Sequence, residues 1–526
     1  MGRRTFPPPV RVEADHVDGP ERLAAALLAR FAHVLAVPGT PTDLVLDRLP
    51  ADRVLLADDE KSALEQAVGM AAAGIPTCWL AKGVGVSHAW DAITNAAVHG
   101  TLGGAALVLV AADDVDASGS TVVLDARALA ATADLTVLEA CTLDQVDPVV
   151  GLAAAVSVSI GEPVLVRLTR ALTDLRRGPT PPDLPAMAAG PSVDEARHRA
   201  HATTKWGRDH LRRRDRLPVV ADVVDRAGLV VERHGPGGLV VLGVGAAWSA
   251  AVAPVADELD LPALGTGAVV PLPRAVVDRA GRAAQVLVVE EGEPVVETAL
   301  TVALHRAGAR TEVRGRGDGA LPPTGRRSPA DVRRAVGRPA DRPEPAVWKG
   351  QDPPVPAAPY DDLFTAVLGL RRRSGVAVTA CVGTVVDLAA PPRHGVDIGL
   401  ALGAATATAA GMARAGRPVV ALTGDAGLLH SGLNGYAVAQ REGLPVLTVI
   451  VHNGVSRRTG SQPTSVHPDV EAPLDLVAVL HAHGGRRVGV IRTGDIDAPG
   501  LEQALVEALD DLPATIVLDD LATPAR

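Results

Sequence analysis

Short apolar runs alternate along most of the chain with longer stretches whose apolar positions recur at helical spacing. Over residues 20–170 the runs LAVPG, RVLLA, PTCWLAKG, AALVLVAADD, LTVLEA and PVLVRLT predict short buried strands. Stretches between them, such as EKSALEQAVGMAAAG, predict helices. Parallel strands need crossovers and helices that cover both faces, so this alternation predicts a parallel, doubly wound sheet. The pattern returns over 218–312, in GGLVVLGVG and AQVLVVEEGEP, and again over 358–526. Pro-, Gly- and Arg-rich stretches interrupt it: LRRGPTPPDLPAMAAGPS, and later GRGDGALPPTGRRSPADVRRAVGRPADRPEP. The division that follows is a first α/β domain at 1–175, a linker at 176–217, a middle α/β domain at 218–318, a Pro/Arg-rich linker at 319–357 and a last α/β domain at 358–526.

A chain of 526 residues has room for about three domains of ~150 residues. At 47% hydrophobic and 21% charged it can bury ample core. Gly 53 and Pro 42, beside many Ala, Val and Arg, indicate a coding bias that strips Ala and Arg runs of functional meaning. The net charge of -10 argues against a nucleic-acid partner, and Arg212, Arg213 and Arg214 are expected on a solvated helix face or linker. Cys78, Cys141 and Cys381 lie too far apart in sequence for a CxxC pair or a four-thiolate set, which fits a reducing cytoplasm and three buried thiols. The N-terminal MGRRTFPPPVRVEADH has no apolar run to make a secretory signal, and Phe6 breaks the myristoylation pattern. Apolar stretches such as 102–112 are too short to span a bilayer. The expectation is a cytoplasmic protein with neither membrane nor nucleic acid as partner.

One segment carries chemistry: ALTGDAGLLHSGLNGYAVAQREGLPVLTVIVHNGVSRRTGSQP. It predicts a strand at 418–423, an acidic turn Gly424-Asp425-Ala426, a helix, a second strand at 445–451, then Asn453. Both polar residues then fall just after strands, at the carboxyl edge where α/β sheets hold ligands. A carboxylate and an amide carbonyl there suit Mg²⁺, which takes hard oxygen ligands and shares its shell with phosphates. A lone Gly-Asp after a strand is more commonly a turn before a helix; the strand–helix–strand context and the terminal Asn are what raise it above that.

The segment resembles the diphosphate-binding motif of thiamine diphosphate enzymes, Gly-Asp-Gly to Asn, with Ala426 at the second Gly. In one order along the chain, AVPGTPTDLVLDRL, DDEKSALEQAVGMAAAGIPTCWLAKGVG, VLVVEEGEP and GDAGLLHSG…HN…TGSQP resemble the alpha subunit of indolepyruvate ferredoxin oxidoreductases. The resemblance implies a fold of three doubly wound parallel-sheet domains: aminopyrimidine-binding, middle and diphosphate-binding. It implies thiamine diphosphate and Mg²⁺ as cofactors, with Asp425, Asn453 and the Val455 carbonyl as metal ligands. Gly424, Ala426 and Gly427 would let backbone amides approach the diphosphate at a helix N-terminus. His430 matches a His that could touch diphosphate or substrate; equally it could be a helix-start residue facing solvent. Glu60 matches the acid that hydrogen-bonds the aminopyrimidine ring, against the alternative of an ordinary first-turn acid. Gly39 and Thr40, in PGTP, match cofactor-binding and catalytic positions, though a Thr there is also a good helix N-cap. Lys82 and Ser87 could line a substrate entrance, or be plain surface residues. Thr459 and Gln462 are candidate loop contacts. In GVGAAW, at 243–248, Trp248 replaces the third Gly of a dinucleotide fingerprint, which argues against NAD. Glu290, Glu291 and Glu293 match a linker-domain motif, for which an interface role is expected.

The departures matter too. That subunit ends in a ferredoxin-like domain with two iron–sulfur clusters, whereas this sequence ends at Arg526 and lacks the cysteines. PPVPAAPYDDLFTAVL stands where the family is Cys-rich. The expected function is therefore a thiamine diphosphate- and Mg²⁺-dependent enzyme that decarboxylates a 2-oxo acid to a cofactor-bound enamine, with a non-oxidative outcome, aldehyde or acyloin. An aryl-pyruvate such as indolepyruvate follows from the resemblance alone, because aromatic residues are only 2% and mark no aryl pocket. The alternatives are oxidative decarboxylation with clusters on a redox partner subunit, a non-catalytic regulatory or scaffold protein that binds the cofactor, and a nucleotide-binding oxidoreductase. A homodimer is expected by resemblance.

Overall fold

The computed structural model describes residues 18–101, 105–116, 122–175, 205–337 and 360–521. They form two compact units, one up to residue 337 and one from 360 onward. In the first unit the strands are β1 (His33–Ala36), β2 (Val54–Leu56), β3 (Thr77–Lys82), β4 (Leu107–Asp113), β5 (Val137–Leu138), β6 (Val164–Thr169), β7 (Val230–Arg233), β8 (Leu239–Val244), β9 (Ala263–Thr266), β10 (Ala268–Val270), β11 (Gln285–Val289) and β12 (Glu312–Arg314). They make a seven-stranded sheet, β10-β5-β6-β4-β3-β1-β2, and a five-stranded sheet, β12-β11-β8-β9-β7. Both are parallel in their body, with one antiparallel strand at an edge: β10 on β5, and β7 on β9. In the second unit β13 (Ala377–Ala380), β14 (Ile398–Gly399), β15 (Val419–Gly424), β16 (Val446–His452), β19 (Val488–Arg492) and β20 (Ala514–Asp519) form a fully parallel sheet ordered β14-β13-β15-β16-β20-β19. Between them β17 (Val455–Ser456) and β18 (Gln462–Pro463) pair as a small antiparallel hairpin.

The continuous apolar runs become central strands because both sheet faces are covered. On β3 and β4 alternate residues serve opposite cores: Cys78, Leu80, Val108 and Val110 on one face, Trp79, Ala81, Leu107 and Leu109 on the other. Among the described residues one stretch, Leu143–Ile160, is long and apolar enough to cross a membrane, which corrects the expectation that every such stretch is too short. It is 61% buried, and its helix Val146–Ile160 packs Val149, Val150, Ala153 and Ala154 into the first core.

The first and middle sheets belong to one unit because β10, from the middle segment, extends the first sheet, and because a buried ion network joins their carboxyl edges. Arg127 hydrogen-bonds Asp125 and Glu290 and the Glu291 carbonyl. Arg167, on β6, pairs with Asp113 at the end of β4 and with Glu139 just after β5. Arg327 donates to the Glu290 carbonyl. Glu290 and Glu291 are thus interface residues, at the carboxyl end of β11. Gly245 (φ +53°), just beyond β8, leaves room for the Glu139 carboxylate, since a Cβ there would lie 2.1 Å from its Oε2. Trp248 is buried and packs on Gly265 of β9. Arg212 corrects another expectation: it is buried and paired with Glu162, while Arg213 and Arg214 are exposed.

Burial pushes Asp113 up to about 6 against an ordinary 3.8, despite Arg167 beside it. Burial works the same way on Asp125, but there Arg167 and Arg127 outweigh it and hold the carboxyl below its usual range. Between pH 4 and 6 the folded chain therefore keeps a proton on Asp113 that the unfolded chain has lost, so this group's contribution to stability falls as pH rises through that window. Asp113→Asn mimics the protonated form. Measured by urea unfolding from pH 4 to pH 7, wild type should lose on the order of 1–3 kcal/mol more stability than the variant; parallel curves would show that Asp113 ionises without penalty.

Candidate cofactor site

In the second unit the chain runs from β13 outward to β14, then returns to β15 on the other side of β13. That reversal opens a crevice at the carboxyl ends of β13 and β15. The backbone is closely gathered there. A Cβ on Gly427 would lie 2.5 Å from Cys381 Sγ and 3.0 Å from Thr423 Oγ1. Gly403, at φ +79°, would place one 2.2 Å from Ser431 Oγ. Ala426, at the motif's second Gly position, is only half-buried.

Asp425 follows β15 directly and is 1% exposed. Its Oδ1 accepts from the Ala426 amide at 2.6 Å. Its Oδ2 accepts from the Gly454 amide at 2.6 Å and from His452 Nδ1 at 3.0 Å. β15 and β16 pair Gly424 with Val451, which brings His452 and Asn453 beside Asp425. Asn453 Oδ1 accepts from the Val455 amide at 3.1 Å, and its Nδ2 donates to Tyr360 Oη at 2.9 Å. Tyr360 in turn donates to Asp520 Oδ2 at 3.0 Å. Its burial, before the smaller effects of Asn453 and Asp520, pushes the phenol up to about 12, so it stays a hydroxyl. The hairpin of β17 and β18 is tied internally: Thr459 Oγ1 meets Ser456 Oγ at 2.8 Å and Gln462 Oε1 at 3.4 Å. His430 lies on the helical turn Leu428–Gly432, half-buried rather than facing solvent. The Ser431 hydroxyl gives its one hydrogen to the Leu402 carbonyl at 2.9 Å, so His430 Nδ1, 3.0 Å away, must carry the proton.

The first unit has a corresponding reversal. From β1 the chain runs to the edge strand β2, then returns to β3 on β1's other side, which opens a crevice at the carboxyl ends of β1 and β3. Gly39 and Thr40 follow β1, Lys82 ends β3, and Glu60 begins the helix Glu60–Ala72 after β2. Glu60 is 8% exposed. A Cβ on Gly85 would lie 2.6 Å from Glu60 Oε1, so only glycine leaves space for that carboxyl. Asp59 caps the helix through the Ser62 amide, and the Glu60 carbonyl accepts from Trp79 Nε1 at 3.2 Å. Glu60 is therefore not a surface first-turn acid.

Lys82 is not a surface lysine either. Its stem lies 3.3 Å from where a Gly39 Cβ would be, and burial lowers its pKa while Asp114, Asp43 and Glu60 oppose that shift. Ser87 is exposed and donates to the Val84 carbonyl. Thr40 donates to Asp43 Oδ2 at 3.1 Å, while the N-cap position itself falls to Thr42.

Residues 385–518 match the family described as "Thiamine pyrophosphate enzyme, C-terminal TPP binding domain". The indolepyruvate oxidoreductase subunit IorA of Archaeoglobus fulgidus is 26% identical over 502 residues, covering 86% of this chain and 76% of that one. The chain resembles a thiamine diphosphate enzyme of the IorA kind. IorA of Pyrococcus abyssi is 24% identical over 490 residues, covering 83% of this chain and 74% of its own. A solved 2-oxoglutarate:ferredoxin oxidoreductase from Magnetococcus marinus aligns with a TM-score of 0.46 and 14% identity, over 57% of this chain and 61% of that chain. The matched family span includes Asp425, His430, Asn453 and Val455. Tyr360 lies outside that span and Asp520 beyond its end, and neither these two nor His452 stood out in the sequence. Position beside Asn453 was the one signal for His452; for Tyr360 it was rarity, since the chain has only 2 Tyr.

Proposed function

We propose that the chain is a thiamine diphosphate- and Mg²⁺-dependent enzyme acting on a 2-oxo acid. The observation that carries this is the buried Asp425 carboxylate at a strand-reversal crevice, with Asn453 at the end of the next strand. The donor set fits a hard cation: a charged oxygen at Asp425, a neutral oxygen at Asn453 and the Val455 carbonyl as third ligand. The glycine-lined approach at Gly424 and Gly427 and the helix start at Asp425 suit a diphosphate. Thiamine diphosphate supplies the carbon nucleophile and electron sink on which a 2-oxo acid can lose CO₂. Glu60 would hydrogen-bond the aminopyrimidine ring and move its proton; Gly39 would contact the cofactor. Thr40 and His430 would contact the reacting groups. The three-domain division, a homodimer and a cytoplasmic setting belong to this same proposal.

The non-oxidative outcome is supported by the thiols. Cys78, on β3, and Cys141, three residues past β5, are buried in the first unit, and Cys381, just after β13, is buried in the second; none is in a disulfide, and burial pushes each thiol up, away from the thiolate that a cluster needs. Protonation to an aldehyde, or addition to a second carbonyl to give an acyloin, needs no redox centre. The IorA resemblance favours a second reading, oxidation with a partner subunit that carries the clusters. Incubation with 2-oxo acids, including indolepyruvate, with and without a dye acceptor separates the two. Aldehyde or acyloin without dye is the expected product; turnover strictly dependent on dye would instead establish the oxidative role.

A further inference from the structure

The Asn453 side chain can serve a cation only if its oxygen, and not its NH₂, faces the metal. We infer that Tyr360 is a positioning residue for that site, whose hydroxyl, oriented by Asp520, fixes which way the Asn453 amide points; this rests on the Mg²⁺ site proposed above. The number of hydrogens on each group decides the orientation. A phenol has one, and Tyr360 gives it to Asp520 Oδ2 at 3.0 Å. Asp520 has acceptors to offer, and its other oxygen takes the Thr493 hydroxyl at 3.1 Å. Towards Asn453 the phenol oxygen can then only accept, and the only donor there is Nδ2, at 2.9 Å. Oδ1 is thereby turned to the Gly454–Val455 turn, where it accepts from the Val455 amide at 3.1 Å. The preceding amide, Gly454, binds Asp425 Oδ2 at 2.6 Å. Successive amides of one turn thus reference both proposed ligand oxygens.

The phenol itself is held. Tyr360 is 5% exposed, its ring lies 5.5 Å from the Arg457 guanidinium, and Arg457 reaches Asp520 at 3.6 Å. Removal of the hydroxyl leaves the Val455 amide as the one remaining restraint on the Asn453 amide among these contacts. Supporting groups of this kind typically change metal affinity by about 10- to 100-fold.

The test is Mn²⁺ affinity of the full chain at saturating thiamine diphosphate, read from free Mn²⁺ by electron paramagnetic resonance. Tyr360→Phe should weaken binding about 10-fold. In an Asn453→Asp background both terminal atoms are oxygens, so amide orientation no longer matters, and adding Tyr360→Phe should cost less than about 2-fold. Should Asn453→Asp not fold, by circular dichroism, Asn453→Ser serves, since a hydroxyl has no opposed NH₂. An equal cost in both backgrounds would make Tyr360 a mere shaper of the loop and overturn the inference, as would no cost at all. Wild type without thiamine diphosphate-dependent Mn²⁺ binding, or Asp425→Ala that binds like wild type, would overturn the underlying site as well.

Discussion

Asp425→Ala should weaken thiamine diphosphate binding in Mg²⁺ by about 100-fold or more. The substitution removes the one charged ligand of the proposed site. Removing one partner of a buried charge pair typically costs ~3–5 kcal/mol, and ~1.4 kcal/mol is tenfold in affinity. The change also strands the Gly454 amide and His452 Nδ1, both bound to Asp425 Oδ2. Asp425→Asn, which keeps the shape and one oxygen, should lose less, on the order of 10-fold. Equilibrium dialysis of folded variants measures both. Wild-type affinity in Asp425→Ala would remove the metal site from this turn.

Glu60→Gln should leave cofactor affinity within a few-fold of wild type but slow exchange of the bound cofactor's thiazolium C2 proton by about 100-fold or more, the usual size of a general acid–base contribution. An amide fills the same space over Gly85 but cannot pass a proton. Quenched-exchange proton NMR reads the rate directly. Exchange at the wild-type rate would make Glu60 a structural acid packed against Gly85, and place the proton-transferring carboxyl elsewhere.

What was legible in the sequence is what depends on local order. A parallel strand buried on both faces reads as an unbroken apolar run, so β3, β4, β6, β8, β11, β15 and β16 stand out. Asp425 and Asn453 were placed correctly at strand ends because each lies directly beyond such a run. The strands β7, β9 and β10 did not stand out. Each is only 3 or 4 residues long, and β10 owes its existence to pairing with the distant β5. The supporting contacts were illegible for the same reason: His452 reaches Asp425 across 27 positions, Asn453 reaches Tyr360 across 93, and Tyr360 reaches Asp520 across 160. Composition marked Arg212 as one of three alike. Its burial depends on Glu162, 50 positions away. Lys82 looked like a surface residue because nothing in KGVG announces that Gly39 lets its stem lie down in the crevice.

The central claim is that this chain holds thiamine diphosphate through a divalent cation. Its most direct test is calorimetric titration of the wild-type chain with thiamine diphosphate, once in Mg²⁺ and once in excess chelator. Saturable binding in Mg²⁺ that disappears with chelator is the predicted result; no binding in Mg²⁺, or equal binding in both, would contradict it.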